Sequence, residues 1–139
     1  MADSDESEVL TVAHDLVAAF GSHDADEYFR HFAADATFIF HTHPQILHSR
    51  EEWENLWLRW ERDNDFKVRS CESRDGQVQF AGKDVAIFRH CVTSVIEFDG
   101  SVDTVAERET IVFAHRDDRW LAIHEHLSPA ESSPAESSD

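Results

Sequence analysis

Apolar residues in the first half of the chain recur at intervals of three and four, which is the spacing of an α-helix. The first such run predicts a helix and comprises Val9, Val12, Ala13, Leu16, Val17 and Phe20. Gly21 follows directly and is the expected C-cap. A second, shorter helix is predicted from Asp24 to about Phe32. A β-rich stretch over residues 36–41 predicts the first strand, which ends before Pro44.

A capping signal marks the start of a third helix. Ser49 is followed three residues later by Glu52, which is the spacing of a capping box. The helix after it carries an apolar stripe made of Trp53, Leu56, Trp57 and Trp60. The polar run at residues 63–65 is expected to end it.

The second half of the chain has the pattern of β-strands. Four strands are predicted, over residues 66–80, 85–98, 102–115 and 119–127. Turn signals lie at residues 75–76, 99–100 and 117–118, and this spacing is typical of an antiparallel meander. Helices that precede a run of strands indicate an α+β fold, with the helices packed on one face of a curved sheet.

The two ends differ in composition from the middle. Residues 1–8 are polar and are expected to be frayed. Residues 9–128 form the expected single domain. Residues 129–139 belong to the near-repeat SPAESSPAESSD, which has no apolar anchors and predicts a disordered tail.

Charge narrows the range of partners. The chain of 139 residues has 12 Lys+Arg against 29 Asp+Glu, for a net charge of −17. Such a chain repels phosphate backbones and anionic membranes, so we expect no nucleic-acid or membrane partner. Only Lys67 and Lys83 among the basic residues are lysines. An acidic, lysine-poor surface favours a halophilic protein, and an acidic mesophilic protein stays open as the alternative.

Two cysteines, Cys71 and Cys91, are too few for a disulfide framework. No apolar run approaches the ~20 residues that cross a bilayer. The acidic N-terminus, MADSDESE, does not have the pattern of a targeting signal. These features predict a reduced, cytoplasmic protein.

The last two predicted strands carry a family resemblance. The stretch from Arg108 to Ser128 ends in WLAIHEHLS and resembles SnoaL-like members of the nuclear transport factor 2-like superfamily. It is also similar to the end of the calcium/calmodulin-dependent kinase II association domain. In that match the residues in register are Trp120, His124, His126 and Ser128. The kinase domain's arginine on the preceding strand falls at Ile111 here, and Arg108 fits the SnoaL-like pattern instead.

The resemblance implies a cystatin-like cone, in which a bent sheet wraps around the N-terminal helices and leaves a cavity at its open end. It also implies a homodimer formed through the outer face of the sheet. The superfamily hosts many activities, so the fold alone does not choose one. Three functions follow: a small-molecule-binding domain, a lyase, isomerase or hydrolase on a hydrophobic cyclic substrate with His-based acid–base catalysis, or a homo-oligomeric assembly module.

Alternation along the last strand places His124 and His126 on one face, with Trp120 and Ala122. If that face points into the cone, the two imidazoles lie near Arg108. A guanidinium with two imidazoles suits a carboxylate or another small anion. We therefore expect a ligand site of Arg108, His124 and His126, with His41 and Arg89 as weaker members. The alternative is that Arg108 forms a structural ion pair with Glu107 or Glu125.

The pairs His41/His43 and His124/His126 have metal-ligand spacing, but the His-x-His ending belongs to the resembled family without implying a metal. Neither a metal site nor a cofactor is expected. The Asp–Tyr pair of the ketosteroid isomerases has no evident counterpart, because the only tyrosine is Tyr28 on the second helix. No catalytic residue is assigned.

Overall fold

The structure is a computed structural model that describes residues 2–130. Three helices and five strands follow one another in it. They are α1 (Ala2–Gly21), α2 (Ala25–Phe29), β1 (Phe32–Phe40), α3 (Arg50–Asn64), β2 (Lys67–Phe80), β3 (Val85–Phe98), β4 (Ser101–Arg116) and β5 (Arg119–Pro129). The α+β class and the helices-first order agree with the prediction.

The five strands form one curved, unclosed sheet in the order β1-β5-β4-β3-β2. Strands β2 to β5 pair antiparallel as a meander, as their turn signals predict. Strand β1 pairs parallel with β5, with Thr37 opposite His124, and this pairing carries no local sequence signal. The first and last strands are thereby neighbours.

The helices cover one face of the sheet and bury a common core. Helix α1 packs on β2 and α3 packs on β1. Aromatic side chains supply much of the core volume, and the largest fully buried residues include Tyr28, Phe32, Phe38, Trp57 and Phe113. Each such side chain stabilises the fold by about 1.5–3 kcal/mol through removal from water.

Helix α1 begins at Ala2 and so includes most of the segment 1–8 that is expected to be frayed, and the fraying itself stays a prediction. Acidic residues such as Asp5 and Glu6 lie near the helix N-terminus, where the helix dipole stabilises negative charge. Residue 1 lies outside the described residues. The expected disordered tail also lies mostly outside them, although Pro129 is the last residue of β5.

Three short-range predictions are corrected and one is confirmed. Helix α2 stops at Phe29, and β1 begins at Phe32 rather than at residue 36. The Asp75-Gly76 signal marks a β-bulge inside β2, because the register with β3 shifts between Arg74 and Gln77 and Asp75 has φ 59°. The cap of α3 is as predicted, since Ser49 accepts a hydrogen bond from the Glu52 amide.

No helix within residues 2–130 is long and apolar enough to cross a bilayer. Cys71 and Cys91 are free thiols. Their location in a reducing compartment stays a prediction.

Gly21 is required for close packing and not for a left-handed cap. It is the last residue of α1, and the left-handed conformation occurs two residues later, at His23 (φ 56°). A Cβ atom on Gly21 would lie 2.9 Å from the backbone nitrogen of Cys71 on β2. The contact would join the backbone of α1 to the backbone of β2, so it could be relieved only by a shift of the helix or the strand.

Gly21→Ala should therefore lower the free energy of unfolding by about 1–3 kcal/mol, measured by urea denaturation. The matched control is Ala18→Gly, at an exposed position of the same helix. In the control, alanine should be the more stable residue by about 1 kcal/mol, as helix propensity dictates. An alanine variant at position 21 that equals or exceeds the wild type would contradict the close-packing explanation.

Candidate functional site

A cavity of about 320 Å³ lies between the helices and the inner face of the sheet. All three helices and all five strands contribute to its lining. Aromatic rings form a large part of the wall, namely Phe20, Tyr28, Phe40, Trp53, Trp60, Phe66 and Phe98. Exposed Thr42 and Asp103 lie at its open end, while Tyr28 and Glu125 are almost fully buried at its inner end.

A β-bulge decides which residues of β5 face this cavity. Val112 lies opposite His124 while its neighbour Phe113 lies opposite Ala122, so Ile123 has no partner residue on β4. The extra residue reverses the alternation along β5. Trp120 and Ala122 are buried in the core before the bulge, whereas Glu125 and Leu127 line the cavity after it.

Three glutamates bring their carboxyl groups to the cavity from the last two strands. Glu107 and Glu109 lie two residues apart on β4 and share its inner face, and Glu125 reaches the same region from β5. Their exposures are only 9%, 6% and 4%. Carboxyl groups are rarely buried to this extent without a partner.

The Glu125 carboxyl is held in place by donors from two helices. The Tyr28 hydroxyl on α2 donates to Glu125 Oε1 at 2.7 Å. The indole Nε1 of Trp53 on α3 donates to the Tyr28 oxygen at 3.1 Å. The three groups form a buried chain that ends at the cavity, which gives the only tyrosine of the sequence an inward polar role.

A second chain holds Glu109 from the neighbouring strands. The Nε2 atom of His90 on β3 lies 2.5 Å from Glu109 Oε1, within hydrogen-bond distance. The Ser73 hydroxyl on β2 lies 2.6 Å from His90 Nδ1, and it donates to that nitrogen when Nε2 carries the proton. Burial lowers the pKa of His90 to about 4, so the imidazole is neutral at pH 7.

Burial also determines the protonation of the two inner glutamates. It raises the pKa of Glu109 to about 7 from an ordinary value of 4.5, and the charge of Glu107 adds to this rise. Burial also raises the pKa of Glu125 well above its ordinary value, and the charge of Glu109 adds to this rise. The two carboxyls therefore favour their protonated forms near neutral pH far more than an exposed glutamate does, and their titrations are coupled.

Of the five predicted ligand residues, only His41 contacts this site. Its Nε2 lies 2.6 Å from Glu107 Oε2 at the edge of the cavity. His124 is half-buried outside the cavity and bonds through Nδ1 to the Thr37 hydroxyl at 2.8 Å.

The other three predicted residues also lie away from the cavity. Arg108 is exposed and alternates with the inward Glu107 and Glu109, and His126 is exposed on β5. Arg89 is exposed on β3 and bonds to Gln77 at 3.3 Å. The expectation of a cluster inside the cone mouth is therefore wrong, because the bulge turns His124 and His126 outward. Anion binding by these residues stays a prediction.

The glutamates were missed although the sequence contains a signal for them. Glu107 and Glu109 share their alternation with Ile111 and Phe113, both of which are fully buried. Counting back two and four residues along β4 from Ile111 reaches Glu109 and Glu107, so the same alternation places both carboxyls on the inner face. Glu125 could not be placed in this way, since the bulge breaks the alternation of its strand.

Among residues 2–130, no three His, Cys, Asp or Glu side chains are grouped as a metal ion would require. Cys71 lines the cavity, but burial raises the pKa of its thiol to about 12. A thiol in this state is a poor nucleophile at neutral pH. Burial likewise raises the pKa of the Tyr28 hydroxyl well above its ordinary value. The remaining ionisable groups of the cavity lining are carboxyls.

Solved structures share the fold at low sequence identity. A proposed calcium/calmodulin-dependent protein kinase II association domain from Xanthomonas campestris is 21% identical, with a TM-score of 0.73 over 90% of this chain and 87% of that one. An NTF2-like protein of unknown function from Rhodospirillum rubrum is 18% identical, with a TM-score of 0.76 over 88% and 98%. A ketosteroid isomerase-like protein from Erwinia carotovora atroseptica is 15% identical, with a TM-score of 0.76 over 92% and 98%. At these identities the likeness shows the fold alone.

A comparison with curated proteins finds no significant match in sequence. The model of the SnoaL-like domain family, in contrast, matches residues 9–132, which is most of the chain. The resemblance of the last two strands is thereby confirmed, together with the nuclear transport factor 2-like fold. The chain belongs to the SnoaL-like domain family.

Proposed function

We propose that the protein binds a small, largely apolar molecule in the cavity between its helices and its sheet. The observation that carries this proposal is the cavity of about 320 Å³, with an aromatic wall and a few fixed polar groups at its inner end. Apolar concave sites with a small number of oriented polar groups are typical of small-molecule sites. A role in assembly alone gives no reason for leaving this volume open or for burying three carboxyls beside it.

Filling the cavity should abolish binding. Val105 on β4 lines the cavity, and the next residue, Ala106, is exposed on the same strand. Val105→Trp should remove the saturable quenching of tryptophan fluorescence that 2-naphthol produces in the wild type, since the indole occupies the site. Ala106→Trp is the matched control and should retain it. Absence of 2-naphthol binding to wild type, or equal binding to both variants, would count against the proposal.

Acid–base catalysis on a hydrophobic cyclic substrate, by a lyase, isomerase or hydrolase, is the second candidate. The specific observation in its favour is that Glu109 and Glu125 lie buried at the inner end of an apolar cavity, where burial raises the pKa of both carboxyls. A carboxyl whose pKa lies near the working pH can both take and give a proton. The candidate acid and base are therefore glutamates, with His90 orienting Glu109, instead of the histidines expected from the sequence. The likeness to a ketosteroid isomerase-like protein agrees with this candidate.

The raised pKa of Glu109 should be visible in the pH dependence of stability. A carboxyl with a folded pKa of about 7 against 4.5 stabilises the fold while protonated, and this stabilisation is lost as the pH rises through about 7. Between about pH 6.5 and 8.5 the titration of Glu109 should cost the wild type about 1 kcal/mol of unfolding free energy. Glu109→Gln should lose about 1 kcal/mol less than the wild type over this range, while the slope that Glu125 contributes remains.

Urea denaturation at constant ionic strength provides the measurement. Glu51→Gln, at an exposed position of α3, removes one negative charge without touching the cavity. This control should keep the slope of the wild type. Identical pH profiles for wild type and Glu109→Gln would show that Glu109 is ionised throughout and would remove the basis for acid–base chemistry.

We also propose that the protein is a homodimer that pairs through the outer face of the sheet. Half-buried apolar residues lie side by side there, with Ile87 on β3 opposite Val112 on β4, and Leu121 and Ile123 on β5. A second copy of the chain would bury this apolar surface. Arg108 and His126 lie on the same outer face, so a dimer would place them at or near its interface.

Val112→Glu should convert the dimer to a folded monomer, because each interface would then contain two buried charges. Sedimentation velocity gives the mass, and circular dichroism reports the fold. Val102→Glu is the control, since Val102 is 52% exposed near the β3–β4 turn. A wild type that sediments as a 16.0 kDa species would contradict the dimer.

A further inference from the structure

We propose that the cavity binds an organic cation, whose ammonium group is held by Glu107, Glu109 and Glu125 and whose apolar body packs against the aromatic wall. The inference rests on the proposed binding function and specifies the chemical class of the ligand. It is carried by the charge of the lining, by the hydrogen bonds that orient the carboxyls, and by the aromatic rings that surround the cavity.

The charged groups of the cavity all have one sign. Four acidic residues line it, namely Asp103, Glu107, Glu109 and Glu125, and within the described part of the chain no lysine, arginine or histidine belongs to the lining. A carboxylate or phosphate ligand would be repelled by this site. A neutral ligand leaves the inner carboxyls in their protonated forms, because it offers no counter-charge to an ionised carboxylate in an apolar environment. A cationic head group supplies that counter-charge.

Each of the three carboxyls is held in a fixed direction by a hydrogen-bond partner, as a preorganised binding site requires. One oxygen of Glu125 is bonded to Tyr28, one of Glu109 to His90, and one of Glu107 to His41. These partners lie outside the cavity, except for the Tyr28 ring. They fix the direction of each carboxyl and lower the entropy that binding would otherwise cost.

The aromatic wall is an independent observation that points to the same ligand class. The side formed by α3 and the edge of the sheet carries four of these rings, Trp53, Trp60, Phe66 and Phe98. The centroids of neighbouring rings are 5.4–6.4 Å apart, such as Trp53–Trp60 at 5.4 Å and Trp60–Phe98 at 5.7 Å. Aromatic faces attract ammonium groups by about 0.5–2 kcal/mol each. They also bury an aliphatic or aromatic body well.

Proton linkage gives the proposal a distinctive signature. The groups that face Glu109 and Glu125 are Tyr28 from α2, His90 from β3 and Glu107 from β4, together with the buried thiol of Cys71 from β2. Helix α1 contributes only apolar side chains to the cavity. The carboxyl pair holds a proton in the empty cavity, and an ammonium group favours its ionised form. Binding should therefore release a proton, and affinity should rise with pH until the pair is ionised.

The test compares three probes of similar size: 2-phenylethylammonium, 2-phenylethanol and 3-phenylpropanoate. Each is titrated into the full chain by calorimetry in about 1 M KCl, where the Debye length of about 3 Å screens the surface charge. The ammonium probe should bind at least about tenfold more tightly than the alcohol, and the carboxylate should bind most weakly. Heats in two buffers of different ionisation enthalpy should show proton release for the ammonium probe alone.

Two charge-matched variants locate the effect. Glu107→Gln should reduce the affinity for 2-phenylethylammonium about tenfold or more and leave that for 2-phenylethanol within about twofold. Glu51→Gln removes the same charge from the exposed surface and should change neither. An equal loss in both variants would show non-specific attraction to an acidic protein and would overturn the proposal.

The outcomes separate the two proposals. If 2-phenylethanol binds as tightly as the ammonium probe, the cavity is a binding site and the cation proposal is wrong. If no probe binds, both proposals are wrong. The comparison of the three probes on wild type stands on its own if Glu107→Gln does not fold.

Discussion

The burial of Glu109 beside Glu125 is the constraint on which the rest of the site depends. Two carboxyls that share a low-dielectric cavity cannot both ionise at little cost, so the pair holds a proton. Tyr28 and His90 satisfy one oxygen of each carboxyl, and Trp53 and Ser73 in turn hold those two partners. The helices are therefore joined to the inner face of the sheet by polar contacts as well as by apolar packing. A fold that needed only a core would have hydrocarbon at these positions.

One extra residue in β5 determines the chemistry of both faces of the sheet. The bulge at Ile123 turns Glu125 and Leu127 inward after Ala122. The same reversal moves His124 and His126 to the outer face, where Arg108 also lies. The cavity becomes acidic and the outer face acquires the basic groups. Binding of a cation in the cavity, and binding of an anion or a second copy of the chain on the outer face, would then use opposite faces of the same strands.

The sequence is sufficient for most of the fold. Helical spacing locates α1 and α3, the Ser49 cap is read correctly, and strand β3 has the predicted limits. Local patterns could not supply the parallel pairing of β1 with β5, because it joins residues about ninety positions apart. The Asp75-Gly76 signal was local and misleading, since the same residues that favour a turn also favour a bulge.

The site was less predictable than the fold. Period-two alternation on β4 was sufficient to place Glu107 and Glu109 inside, next to Ile111. On β5 the same rule fails at the bulge, because no residue type in the sequence marks the position of the bulge. Halophilic adaptation, a cytoplasmic location and an anion site of Arg108, His124 and His126 stay predictions.

The central claim is that a carboxyl pair in the cavity holds a proton at neutral pH. The most direct measurement is a pH titration of the side-chain carboxyl carbons by NMR, on protein labelled with carbon-13 in glutamate and assigned with Glu109→Gln and Glu125→Gln. The account predicts that Glu109 titrates near pH 7 and that Glu125 remains protonated above the ordinary value of 4.5. Titration of both residues at or below about 4.5 would contradict it.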